Sequence, residues 1–197
     1  MRSPRLGAPS ELHTEVKTLT ECLRPLSERH RLALTWFAQR TGTVQPWPKP
    51  IPSSEGVTLL AAKAKGIYKP EWSRYALSVR QNLLSPYQDR PPVVRPDGSW
   101  LYSYFQENPN PNSRDTEYTN RALLECIKDC VPVGVLQQIR GKPRSSYLVL
   151  GLALVVGWEA GYFFFEGFSN SGEVVATAAQ VEMAIGVPRI LWTPENG

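Results

Sequence analysis

Two histidines, His13 and His30, are all that the 197 residues contain, and this scarcity limits the available enzyme chemistry. A Ser/His/Asp or Cys/His nucleophile needs an imidazole beside it. A ββα metal nuclease needs a histidine base and a further His or Asn ligand on an adjoining strand and helix. Here both imidazoles fall in one amino-terminal region among charged neighbours, where they read as surface or hydrogen-bonded residues. The other common nuclease signature pairs Pro-Asp with a later Asp/Glu-x-Lys. Pro96-Asp97 is present, but Glu15-Val16-Lys17 lies upstream of it, inside a predicted helix. Of the three cysteines, Cys126 and Cys130 share a helix spacing, yet no CxxC or nearby His completes a tetrahedral zinc site. Buried thiols in a reducing, cytoplasmic setting are expected. No Walker loop or GxGxxG occurs. The chain reads as a binding module, with no catalytic residue, no metal and no cofactor.

The residues with binding chemistry are cations and amides. Net charge is +4, but its distribution says more. Residues 56–95 hold seven basic groups against two acidic ones; 140–158 add Arg140, Lys142 and Arg144; 159–197 are mostly acidic. Such segregation fits a basic face for a polyanion, unless folding interleaves the segments again. Tyr118-Thr119-Asn120-Arg121 opens a predicted helix whose free N–H groups would seat a phosphate. Arg121 can bond phosphate or guanine, or pair with Glu125 one turn on; Asn120 can read adenine. The polar loop 108–116 carries Arg114. The turn Arg140-Gly141-Lys142-Pro143-Arg144 is a second basic point or a solvated hairpin tip, and Lys69 with Arg74 is a third.

The elements that must position these groups follow from periodicity. Proline makes up 18 of 197 residues, which excludes a mostly helical bundle. Residues 1–9 form a loose start. From a Ser10 cap, Leu12, Val16, Leu19 and Leu23 mark one helix face, Pro25 ends it, and a Ser27 cap starts a second helix that stops at Gly42. This hairpin (10–41) leads through a Pro-rich connector around Trp47 (42–55) into an α+β core (56–197), all one domain. In the core, 56–70 read as strand, 72–84 as helix, Trp100–Phe105 as strand after a Pro96-Asp97-Gly98 turn, and 119–129 as helix. Three strands follow at 131–139, 147–156 and 161–166, with a last helix at 172–185. The expected fold is α+β: a helical hairpin, then a mixed or antiparallel sheet with packed helices. The longest apolar run, Tyr147–Trp158, is too short for a membrane helix, so a soluble chain is expected.

Three stretches carry a family resemblance: GIYKPEWSRYALSVRQ (66–81), YTNRALLECIKDCVPVGVLQQ (118–138) and YLVLGLALVVGWEAGYFFFEG (147–167). Over roughly 56–168 the chain resembles the sulfur-binding domain of type IV, modification-dependent restriction endonucleases, which read phosphorothioate DNA and cut with a separate HNH domain. The resemblance implies a double-stranded DNA partner carrying a phosphorothioate, and a nuclease domain after residue 197 in the parent protein. It also implies a sulfur pocket of an aromatic ring, a proline ring and small apolar groups. Sulfur is softer and less hydrated than oxygen, so an apolar cavity near cations favours it. Phe168, with Ser169 and Asn170, is the candidate wall, but no proline lies beside it; Pro109, Pro111 and Pro143 are the candidates to supply the ring from another loop, and the sequence leaves the choice open. Three alternatives stand beside this one. A reader of modified bases could use Trp100, Tyr102 and Tyr104 as its cage. The others are a metal-dependent nuclease and a protein-interaction domain that docks through the Trp47 connector.

Overall fold

The computed structural model describes residues 15–83 and 91–175. The chain opens with β1 (Lys17–Thr18), α1 (Leu19–Leu23) and α2 (Glu28–Ala38). Thr18 caps α1: its hydroxyl accepts from the Glu21 N–H at 3.3 Å, and the Glu21 carboxylate accepts from the Thr18 N–H at 3.1 Å. The first helix therefore starts later than expected, and the Ser10 cap, like residues 1–9 and His13, lies outside the described residues. Ser27 caps α2 as the sequence predicts, accepting from the His30 N–H at 3.2 Å.

Seven strands follow: β2 (Val44–Gln45), β3 (Ile51–Ser53), β4 (Gly56–Thr58), β5 (Ile67–Tyr68), β6 (Ser78–Gln81), β7 (Val93–Val94) and β8 (Trp100–Phe105). A 3-10 turn, Pro111–Thr116, leads into α3 (Tyr118–Asp129), and then come β9 (Val133–Arg140), β10 (Ser146–Glu159), β11 (Tyr162–Gly167) and β12 (Glu173–Val174). The main sheet runs β5-β6-β9-β10-β11-β8-β7, with β2 added to β10. All its pairings are antiparallel except β6 with β9, so the sheet is mixed and the fold α+β, as expected. Strand β10 serves two neighbours along its length: β9 pairs with Ser146–Ala153 and β11 with Ala153–Glu159. Register breaks at Val149/Gly151 and Val155/Gly157 bend it. Gly151 holds φ +114°, a conformation that favours glycine. The core lies between the sheet and helices α2 and α3, filled by Leu34, Phe37, Leu123, Val133, Val135, Phe163 and Phe165, all fully buried. Gly134 on β9 lies directly under the Phe37 ring, where a Cβ would collide.

Four segments differ from expectation. The helix expected over 72–84 does not form in its described part, residues 72–83: Ser78–Gln81 form β6, buried at every position and parallel to β9. The apolar groups Ala76, Leu77 and Val79 look helical by spacing, but burial on both faces selects a strand. The strand expected over 56–70 is two short ones, β4 and β5, and the Pro-rich connector contributes β2 and β3. The loop before α3 closes as a 3-10 turn. At the carboxyl end, Glu173–Val174 pair with β1 where a helix was expected to begin, and residues 176–185 lie outside the described residues. No helix among the described residues is long and apolar enough to cross a membrane.

Candidate functional site

Strands β9 and β10 are joined by the hairpin turn Gly141–Ser145, which carries Lys142, Pro143 and Arg144 exposed at its tip. Beside it, β2 pairs with Tyr147 and Leu148 on β10, and this pairing delivers the next residues, including Trp47, over the Tyr147 ring. The two rings meet edge to face, 5.5 Å apart at 75°. From the opposite side, Arg80 on β6 stands in register with Leu136 on β9, and Lys63 precedes β5. The Lys63 ammonium is 5.9 Å and the Arg80 guanidinium 5.5 Å from the Trp47 ring centre. Together these enclose a cavity of about 750 Å³, lined by Trp47, Tyr147, Pro143, Gln138 and four cations, Lys63, Arg80, Lys142 and Arg144, without any carboxylate.

The other predicted cations fall elsewhere. Lys69, Arg74, Tyr118 and Arg121 come together in an open groove of about 500 Å³. Its charge is largely cancelled, because Glu71 and Glu125 share the wall. Arg74 donates to Asp129 and to the Tyr75 hydroxyl and lies 3.7 Å from Glu125. Glu125 is thus taken by Arg74, and Arg121 stays exposed. Arg114 is bound to its neighbour Asp115 at 2.8 Å and covers the Trp158 ring at 4.6 Å. Arg140 is exposed on the last residue of β9, outside the cavity wall.

Asn120 does not face a ligand. It is fully buried, its carbonyl accepts from the Glu107 N–H at 3.0 Å, and its amide donates to the Glu107 carbonyl at 2.7 Å. It pins the chain after β8 to α3. Nor is the start of α3 a phosphate seat. Its N-cap is Glu117, whose carboxylate brings negative charge to the N–H groups and pairs with Lys65 at 3.5 Å. Lys65 also covers the Tyr118 ring at 4.6 Å.

Phe168, Ser169 and Asn170 line a separate cavity of about 280 Å³ with Leu19, Trp100, Leu150 and Leu152. No cation lines it, so it lacks the charge that holding an anionic linkage requires. Phe168 packs on the core, and the Asn170 N–H donates to the Asp97 carbonyl at 2.8 Å. The aromatic cage is also absent as drawn, because Trp100 and Tyr102 are buried in the core. Of the prolines left open by the sequence, Pro143 lines the cavity that holds the Trp47 and Tyr147 rings and the four cations.

Sequence reasoning missed Lys63, Trp47, Arg80 and Tyr147 as one group. Their signals were present: a tryptophan between prolines, and an arginine inside an apolar stretch. His30 is buried at 3% exposure, against the surface reading. Its Nε2 has no hydrogen-bond partner among the described residues, and burial lowers its pKa to about 4. Among the cysteines, Cys22 and Cys126 are buried and Cys130 is half-buried; burial pushes the Cys22 thiol up to about 11.

No family model and no curated protein matches the chain. It is similar to several solved structures, among them the following three. KRYPTONITE in complex with mCHG DNA and SAH is 24% identical with a TM-score of 0.35, the match covering 58% of this chain and 29% of that one. KRYPTONITE in complex with mCHH DNA, an H3(1–15) peptide and SAH is 22% identical with a TM-score of 0.33, over 52% and 24%. The SUVH5 SRA complex with fully methylated CG DNA is 18% identical with a TM-score of 0.30, over 67% and 78%. The chain thus spans about a quarter of the two KRYPTONITE chains. All three TM-scores lie below the value that marks a shared fold.

Proposed function

We propose that this chain reads modified double-stranded DNA, taking an extruded modified nucleotide into the cavity between Trp47, Tyr147 and the β9–β10 turn. One observation carries the reading: two aromatic rings and four cations without an acid meet in a single concave site. Aromatic faces stack bases at about 1–3 kcal/mol each, and Lys and Arg supply the counter-charge that backbone binding needs. Size decides what enters. About 750 Å³ lies within the roughly 300–1,000 Å³ of sites that enclose a whole small ligand. A lone sulfur substituent needs about the room of one water, ~30 Å³. In this reading the chain recognises and does not cut, and a nuclease domain elsewhere in the parent protein supplies cleavage.

The phosphorothioate reading has its own support, because the Pro143 ring stands between Lys142 and Arg144 in the same wall. The two readings separate in one titration. Three duplexes of the same sequence, one unmodified, one base-methylated and one with a single phosphorothioate, are compared by gel shift at fixed salt. The base-modified duplex is expected to bind tightest, and Trp47→Ala to weaken it about tenfold, the lower part of the stacking range. Preference for the phosphorothioate duplex would replace the base reading with the sulfur one. Equal affinity for all three would end the modified-DNA reading.

A further inference from the structure

Arg80 reaches the cavity with only 8% of its surface exposed. One of its terminal nitrogens donates to the Asn82 side chain and the other to the Lys63 carbonyl at 3.2 Å, while its buried Nε donates to no partner among the described residues. No carboxylate among the described residues pairs with it. A buried guanidinium in that state is unfavourable, because the charge has left water without meeting an opposite one. Its neighbours in the wall aggravate this, since Lys63, Lys142 and Arg144 are all positive. Elsewhere the chain neutralises charge it buries: Glu166, 1% exposed at its side chain, meets Arg95 at 2.6 Å.

We infer that the absent counter-ion is part of the ligand: the cavity holds a nucleotide together with its phosphate, and Arg80 with the turn cations binds that anion. A phosphomonoester brings nearly two negative charges and three acceptor oxygens, and a guanidinium fork matches such oxygens. The base contacts Trp47 and Tyr147, while the phosphate meets Arg80. Free nucleoside monophosphates are then ligands of this chain in their own right, without any duplex around them. The inference rests on the DNA reading for its aromatic half, and on the unpaired charge of Arg80 for its anionic half.

The test uses the full chain and four probes: deoxycytidine 5′-monophosphate, deoxycytidine, inorganic phosphate and a base-modified duplex. Binding is read by tryptophan fluorescence and calorimetry at one salt concentration. The monophosphate is expected to bind at least tenfold tighter than the nucleoside. Arg80→Gln should remove that advantage, and Arg80→Lys should keep part of it, because a charge remains. Trp47→Ala should weaken monophosphate and nucleoside alike. A thermal melt of each variant checks its fold. Should Arg80→Gln fail to fold, Lys142→Ala with Arg144→Ala serves in its place and should also narrow the gap. Equal binding of monophosphate and nucleoside by the wild type would overturn the inference, as would a gap that survives both sets of variants. If the monophosphate binds and the duplex does not, the DNA reading falls and this inference stands. If the duplex binds without any monophosphate preference, the reverse holds.

Discussion

Glu166 and His30 give the fold two opposed pH dependences, and removing either should expose the other. The Glu166 side chain, 1% exposed on β11, accepts from Arg95 at 2.6 Å with one oxygen, while the other is buried without a partner among the described residues. Burial raises its pKa from 4.5 to about 7 despite that arginine. A carboxyl raised in the folded state stabilises fully below its unfolded pKa, and that stability drains as pH climbs through 7. At about 1.4 kcal/mol per pH unit, the loss totals about 3 kcal/mol. His30 runs the other way. Carried on α2 and buried against the Trp72 and Tyr75 rings, it is lowered from 6.5 to about 4. Its contribution is full above 6.5 and is lost as pH falls through 4, again about 3 kcal/mol. Between pH 4.5 and 6.5 the two slopes nearly cancel in the wild type. The assay is urea denaturation followed by tryptophan fluorescence at half-unit steps from pH 4 to 8, for wild type and Glu166→Gln. The difference between the two proteins removes the pH response of every other group. It should move by about 3 kcal/mol in favour of the variant between pH 4.5 and 7, then level off. A difference that is flat across that window would refute the burial argument for Glu166.

Two further outcomes follow from the site and its supports. Asn120→Ala leaves the Glu107 N–H and C=O without their partners inside the protein, which should cost about 2–4 kcal/mol in urea denaturation. DNA affinity of the folded variant should not change, and a specific loss of affinity would restore Asn120 as a contact residue. Arg144→Ala should lower the slope of log affinity against log salt by about one, whereas Arg114→Ala, already paired with Asp115, should leave it unchanged.

Legibility in the sequence followed the range of the interactions. Helix α3 and strands β8 to β11 are long and regular, so periodicity alone places them within a few residues. Strand β6 was not legible, because Ala76, Leu77 and Val79 suit a helix face as well as a buried strand. Its pairing with β9, more than fifty residues away in sequence, settles the matter. Asn120 reads as a contact residue in sequence because a polar group at a helix start is normally solvated. Only the close approach of Glu107 turns it inward. The β9–β10 turn was legible as a basic point, yet nothing local to it announced that β2 would carry Trp47 over Tyr147.

Charge segregation along the chain had two outcomes in sequence, a basic face or renewed interleaving, and the fold produces both in different places. Interleaving wins around α3 and β11. Arg74 meets Asp129 and Glu125, Lys65 meets Glu117, and Arg95 crosses to Glu166 in the acidic carboxyl-terminal stretch. Those pairs remove cations from any binding face. What they leave is informative, because the cavity draws Lys63 and Arg80 from the first basic segment and Lys142 and Arg144 from the second. Exposed lysines without partners are ordinary, since water solvates them. Arg80 is different, because it is 8% exposed and no carboxylate among the described residues pairs with it. Total charge therefore points weakly to a polyanion, whereas the buried Arg80 among the cavity cations is the observation on which the proposed anion site rests.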